Sequence, residues 1–240
     1  YENRVIEALN KWFDAVLVHS DPQMIKLDET FSRLDKIKIP IFYTGFITPV
    51  PDLDKVSLFR QESGLSPEGN LIVASAGGGN VGAHLLKAVV IAFKKLTFSR
   101  DTLLKVYTGP YMAKKDKVYL RSHADEKIKI EEFTTDFVSL LGAADLCISM
   151  GGYNTSMNIV AANVVSLVWP FSQNREQRSR AEKLSKFTPM TILDDKDLNL
   201  EKLTQHIEIS LEQKREKNPQ KLNIFGAVNT VEWIKEQIRI

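Results

Sequence analysis

Short apolar runs alternate with helix-period segments along the whole chain, and this alternation constrains the fold more than any other feature. Strand-like runs are read at Ala15–His19, Pro40–Gly45, Leu71–Ser75, Leu103–Tyr107, Ile128–Ile130, Leu146–Ser149, Ser166–Trp169 and Met190–Leu193. Helical patterns are read at Arg4–Phe13, Gln23–Phe31, Asp54–Ser63, Gly82–Leu96, Thr135–Ala144, Thr155–Asn163, Arg175–Ser185, Leu200–Gln213 and Val228–Ile238. A chain that alternates in this way predicts a mostly parallel sheet covered by helices on both faces. Such sheets bind ligands beyond the carboxyl ends of their strands. Gly77, Gly109, Gly151 and Phe171 all fall at those ends. The proline-bearing stretch "ITPVPDLDK" reads as a linker.

Composition narrows the class of partner. The 240 residues are 43% hydrophobic and 26% charged, enough apolar content for a substantial core. A net charge of +2 without a Lys/Arg block argues against nucleic acid. The longest apolar runs fall short of the roughly 18 residues that span a bilayer. A single cysteine, Cys147, permits no internal disulfide, so a reducing cytoplasm is expected. Its place in an apolar run reads as core rather than nucleophile. No signal peptide is read at the amino end, and a first residue of Tyr rather than Met reads as a fragment.

Two strand-to-helix turns are glycine-rich. Ser75-Ala76-Gly77-Gly78-Gly79-Asn80-Val81-Gly82 would let the backbone close on a ligand, with the N–H groups of the next helix facing an anion. The alternative is a tight turn that holds nothing. The Gly77-x-Gly79-x-x-Gly82 spacing matches the dinucleotide fingerprint, but the strand that should supply a ribose-binding acid ends in Thr108-Gly109-Pro110, and Asp101 lies at its wrong end. A Walker loop is excluded, because Ala83-His84 follow Gly82. The second turn is Gly151-Gly152, followed by Asn154, Thr155 and Ser156, which could cap a helix or meet a phosphate. Two such turns in one sheet favour a shared diphosphate. Asp52-Leu53-Asp54 and Asp195-Lys196-Asp197 spell D-x-D, but both stand at helix starts, where capping is expected. The four histidines show no metal-ligand spacing, and there is no G-x-S-x-G.

The segments "DAVLVHSDP", "YTGFITP", "ASAGGGNVGAHLL", "EEFTTDFVSLLGAADLCISMGGYNTSMNIVAA" and "WPFSQNREQRSRAEKL" resemble glycosyltransferase family 28, near the predicted glycosyltransferases related to the peptidoglycan GlcNAc transferase. The resemblance implies an α/β GT-B fold, with a Rossmann-like parallel-sheet donor domain plus the tail of a second Rossmann-like domain. It implies the C-terminal part of an acceptor domain at residues 1–48, a nucleotide-sugar donor domain at 49–225, and a C-terminal helix at 226–240 that returns to the acceptor domain.

Position by position, Gly78, Gly79, Asn80 and Gly82 match the family's first phosphate loop. Phe133 and Thr134 match the border of the base. Gly151, Gly152, Tyr153, Asn154 and Thr155 match the second phosphate loop. Glu176 and Gln177 match the pair that reads sugar hydroxyls, with Arg180 on the same helix. The implied substrate is a nucleotide-sugar, UDP-linked, with no metal or other cofactor. The acceptor is unassigned, and the catalytic base lies in a missing N-terminal domain or a partner subunit. A cytoplasmic location with peripheral membrane contact is implied as well. Two positions depart from the family. Asn158 stands where a Glu normally holds the ribose, and Thr48-Pro49 replace a linker Arg found in some relatives. The readings carried forward are a glycosyltransferase, a donor-binding subunit that needs a partner, and a sugar-nucleotide epimerase of the same architecture.

Overall fold

The computed structural model describes residues 2–29, 31–78, 81–171, 173–213, 215 and 221–238. In chain order the elements are α1 (Glu2–Trp12), β1 (Val16–Val18), β2 (Ile41–Tyr43), α2 (Leu53–Glu62), β3 (Asn70–Ser75), α3 (Ala83–Lys95), β4 (Thr102–Tyr107), α4 (Lys114–Arg121), β5 (Ile128–Glu131), α5 (Phe137–Ala143), β6 (Leu146–Met150), α6 (Tyr153–Ala162), β7 (Val165–Trp169), α7 (Arg175–Leu184), β8 (Met190–Ile192), α8 (Leu200–Glu212) and α9 (Gly226–Ile238). The chain divides into two compact units, one made of Tyr1–Thr48 with Pro219–Ile240 and the other of Pro49–Asn218.

The larger unit holds a six-stranded sheet in the order β5-β4-β3-β6-β7-β8, and every pairing is parallel. Its central strands are buried along their length, which is why they read as unbroken apolar runs instead of alternating ones. Ile72, Ala74, Leu104 and Ile148 share one core cluster with Leu85, Leu86 and Val89 of α3 and Leu203 and Ile207 of α8. Leu71, Val73 and Cys147 share the other with Leu140 and Leu141 of α5 and Ile159 of α6. At about 1.5–3 kcal/mol per fully buried aliphatic side chain, these two layers fix the sheet and hence the loops at its ends. Helices on both faces of a wholly parallel sheet make this a Rossmann-like layer arrangement.

The smaller unit pairs β1 with β2 in parallel, from Val16 opposite Ile41 to Val18 opposite Tyr43. Its two sequence segments are knitted together by the backbone. The buried Asp21 carboxylate accepts from the N–H groups of Gln23 and Asn223, both at 2.8 Å. Phe46 N–H donates to Asn223 O at 2.8 Å, and Gly226 N–H returns a bond to Phe46 O at 2.9 Å.

Two readings of the elements are corrected. The helix expected over residues 23–31 is a set of turns with one short 3-10 segment, Leu27–Glu29. Side chains there take the backbone groups a helix would need. Asp21 receives Gln23 N–H, the Tyr43 hydroxyl receives Leu27 N–H at 2.8 Å, and Ser20 donates to Ile25 O at 3.0 Å. Conversely, α4 forms where no element was read. Leu120 is its one buried residue, so its sequence shows no apolar period.

Candidate functional site

Strand order reverses between β3 and β6, since the chain adds β4 and β5 on one side of β3 and β7 and β8 beyond β6. An open α/β sheet has its crevice at that reversal, outside the carboxyl ends of the strands. The loops leaving those two strands are the two glycine turns. In the first, the Ser75 hydroxyl accepts from Gly77 N–H at 3.1 Å, and Gly82 stands at the N-cap of α3 with φ +106°. A Cβ on Gly82 would lie 2.5 Å from Met150 Sδ at the end of β6, so the two loops meet at this residue. A Cβ on Gly109, after β4, would lie 2.3 Å from Gly77 O, and Tyr111 N–H donates to Gly78 O at 3.0 Å. The β4 loop therefore supports the first glycine turn from the side. Gly79 and Asn80 lie outside the described residues.

The second turn is built differently. Gly152 is the N-cap of α6 with φ −62°, and nothing lies within 4 Å of the position its Cβ would occupy. As a glycine, Gly152 brings no side chain to cap the first turn of α6, and Ser156 N–H closes that turn on Gly152 O at 2.9 Å. Between the turns is a cavity of about 340 Å³. Gly77 and Gly78 line it from one side, and Gly152, Tyr153, Asn154 and Thr155 from the other. Ser75, Tyr107, Glu132, Phe133, Thr134 and Phe137 complete the wall. A wider hollow, about 590 Å³, opens at the amino-terminal ends of β4 and β5 between Phe98, Arg100 and Lys127. It is at the end of the sheet away from the reversal, so the smaller cavity is the better candidate.

The cavity wall is aromatic and the turns are polar. Burial, and then the Glu131 carboxylate it hydrogen-bonds, push the Tyr107 phenol well up, so Tyr107 remains a protonated donor. Its ring meets Phe137 edge-on at 6.2 Å. Burial also raises the Tyr153 phenol, against a lowering influence from the nearby Arg180. Burial pushes the Cys147 thiol up to about 12, consistent with a core residue and not a nucleophile.

Residues 74–238 match the glycosyltransferase family 28 C-terminal domain. The chain belongs to this family. It is 27% identical over 164 residues to the UDP-N-acetylglucosamine–N-acetylmuramyl-(pentapeptide) pyrophosphoryl-undecaprenol N-acetylglucosamine transferase of Thermoanaerobacter sp. (strain X514), a match that covers 64% of the chain and 45% of that protein. The matched region thus spans less than half the length of that relative. Among solved structures it is similar to MurG of Acinetobacter baumannii, with a TM-score of 0.58 at 16% identity, covering 99% of this chain and 76% of that one. It is also similar to the UDP-GlcNAc 2-epimerase of Methanocaldococcus jannaschii in complex with UDP-GlcNAc and UDP, with a TM-score of 0.51 at 14% identity, covering 98% and 79%.

Of the family 28 positions read from the sequence, Gly78, Phe133, Thr134, Gly152, Tyr153, Asn154 and Thr155 come together in the cavity wall. Gly82, Gly151, Asn158, Glu176, Gln177 and Arg180 do not line it. Glu176 is exposed and borders an open hollow with Phe171 and Gln173. The Gln177 side-chain oxygen accepts from Phe171 N–H at 3.0 Å, and Arg180 donates to Gly151 O at 3.2 Å. Asn174 caps their helix, accepting from Glu176 and Gln177 N–H groups. Tyr107, Glu132 and Phe137, which also line the cavity, were not among the expected site residues. The signal available for Tyr107 and Glu132 was their place at the carboxyl ends of adjacent parallel strands.

The D-x-D aspartates have structural work. Asp52 caps α2, Asp195 accepts from the Trp169 indole N–H at 2.8 Å, and Asp197 accepts from Asp194 N–H at 2.9 Å. Among the described residues, no cluster of His, Cys, Asp and Glu could hold a metal ion, and no helix is long and apolar enough to cross a membrane.

Proposed function

We propose that the larger unit is the donor half of a glycosyltransferase and binds a nucleotide-sugar, UDP-linked, across the reversal of the sheet. The observation that carries this is the pair of glycine turns on adjacent strands β3 and β6 with an aromatic-walled cavity between them. Family membership supports it, as does the curated relative's name, which specifies a UDP-linked donor. In this reading the diphosphate lies between the turns, facing the first turn of α6, whose N-cap is a glycine. The base rests against Phe133 and Phe137, and the sugar faces Glu176 and Gln177.

An acceptor hydroxyl, deprotonated by a general base, attacks the anomeric carbon. The bond from that carbon to the diphosphate oxygen breaks, and the diphosphate leaves with the electron pair. Backbone N–H groups and the α6 dipole stabilise the charge that develops there. The base and the acceptor site belong to a second Rossmann-like domain, in this polypeptide or in a partner, and the smaller unit is part of that domain. Its two short strands and its exposed Trp12, Phe13, Phe225, Val228, Val231 and Ile238 support this assignment. The working location is cytoplasmic, with any membrane contact made peripherally.

Calorimetric titration of the chain with UDP and UDP-sugars tests the donor site. Saturable binding is expected, and no heat at millimolar nucleotide would sink the proposal. Product analysis with the acceptor domain present then separates transfer from isomerisation. A new glycoside with released UDP supports transfer, and an isomerised sugar means an epimerase.

A further inference from the structure

Arg180 and Gln177 are three residues apart on α7 and share one face of it. That face presses on the β6–α6 turn. A Cβ at Gly151 would lie 3.3 Å from both Gln177 Cβ and Gln177 O, leaving no slack between helix and turn. Arg180 then grips the turn on both sides of Gly152. Its Nη1 donates to Gly151 O at 3.2 Å, and its guanidinium carbon stands 5.3 Å from the centroid of the Tyr153 ring. Tyr153 is the first residue of α6 and lines the cavity, whereas Arg180 is half-buried and does not. Gly152, held between these two anchors, has open space around it and no capping side chain to fix it.

We propose that Arg180 is a positioning residue for the donor site, one that sets the aim of the α6 first turn and the Tyr153 ring without touching the ligand. A guanidinium suits this task because its planar fork can donate to a carbonyl while its face lies on a ring, and a lysine ammonium cannot do both. The ligand arm of the proposal rests on the donor-site reading above, and the loop arm does not.

The test uses the full chain as wild type, R180M, R180K, Y153F, Y153L and the double variant Y153L/R180M. Amide hydrogen exchange is measured without nucleotide at Ser156, whose N–H donates to Gly152 O at 2.9 Å, and along the next turn of α6. Exchange in R180M is expected to rise about tenfold, with R180K between it and wild type. Y153F keeps the ring and is expected to match wild type. Y153L is expected to match R180M, and the double variant to be no faster than either, because both changes break one coupled contact. Removing the cation also moves the Tyr153 phenol midpoint upward, which tyrosine-resolved NMR reads directly with Y153F as the assignment control. UDP affinity is expected to fall in proportion to the exchange.

Unchanged exchange in R180M, or additive effects of the two changes, overturns the proposal. So does a loss of UDP affinity in R180M with an unchanged loop, since Arg180 would then be a ligand contact. If wild type binds no UDP, the donor-site reading fails while exchange and the Tyr153 titration still decide the role of Arg180.

Discussion

Gly82 and Gly152 each stand at the head of a helix that follows a strand, yet they meet different demands. Gly82 holds φ +106°, and a methyl group there would meet Met150 Sδ at 2.5 Å and Ala76 Cβ at 3.0 Å. Gly82→Ala is expected to destabilise the protein by about 2–4 kcal/mol, combining left-handed strain with overpacking, as read by urea denaturation. Gly152 has φ −62° and free space around it. In Gly152→Ala the weaker N-cap and the reduced entropy of the unfolded chain oppose each other, so stability should stay within about 0.5 kcal/mol of wild type. UDP affinity should nonetheless drop several-fold, because the methyl group enters the cavity. A variant that keeps both stability and affinity would mean that the ligand does not approach this turn. Asn158 lies in the α6 helix. It stands outside the cavity wall, and on the proposed donor-site reading it faces the ribose, where a carboxylate would accept hydroxyls with charge-assisted bonds about twice as strong as neutral ones. Asn158→Glu should therefore tighten UDP binding about three- to tenfold by calorimetry, and an unchanged affinity would place the ribose elsewhere. The glycine turns of the candidate site were legible because strand-to-helix turns are written as local sequence. Tyr107 and Phe137 were not, because they reach the cavity from different elements and meet only once the sheet is folded.

At the scale of elements, Asp136 ties α2 to α5. Its carboxylate caps α5 by accepting from Ser139 N–H at 3.1 Å and pairs with Lys55 Nζ at 2.9 Å. Burial favours its neutral form, but the Lys55 bond and the Ser139 bonds outweigh this and hold its pKa below the usual carboxylate value. A folded-state pKa below the unfolded value means stability that is present above the unfolded pKa, about 3.9, and lost as pH falls through the lower folded value. Lys55 is 55% exposed, so solvent screens the ion pair and its contribution is small. Asn caps as well as Asp, so Asp136→Asn should cost little at pH 7, and that small difference from wild type should shrink towards zero as the solution is acidified below pH ~4. Asp136→Ala removes the cap as well and should cost about 1–2 kcal/mol at neutral pH. Urea melts across pH check both, and a cost for Asp136→Asn that grows on acidification would contradict the assignment. The same contrast explains which elements could be read in advance. The strands β3, β6 and β7 are buried on both faces and announce themselves as apolar runs. The α4 helix is held mainly by Leu120 and by the Lys87–Asp116 and Lys117–Glu132 pairs, whose partners lie far away in sequence. The turns of residues 23–29 depend on Tyr43 and Asp21, which no local pattern over that stretch reveals.

At the scale of the molecule, the two units differ in how much core they own. The larger one packs helices on both faces of six strands. Among the described residues of the smaller one, the buried apolar side chains are Ile6, Met24, Phe46 and Leu222, and its sheet has only two strands. The α9 helix turns Gly226, Asn229 and Trp233 toward its own unit, through the close approach of Gly226 to Gly45, the bond from Asn229 to Thr44 O and the stacking of Trp233 on Phe42 at 6.4 Å. That leaves Val228, Val231, Ile234 and Ile238 as an exposed stripe. At about 25 cal/mol per Å² of apolar burial, a unit that buries so little cannot match the stability of its neighbour. Heating is therefore expected to give two transitions, the smaller unit melting first, and limited proteolysis should trim the chain to a resistant core near residues 49–218. That core, expressed alone, should fold and retain the UDP affinity of the whole chain. A single cooperative transition with no resistant core would mean instead that the smaller unit draws its stability from the larger one, and the division of the chain into a donor half and part of another domain would have to be redrawn.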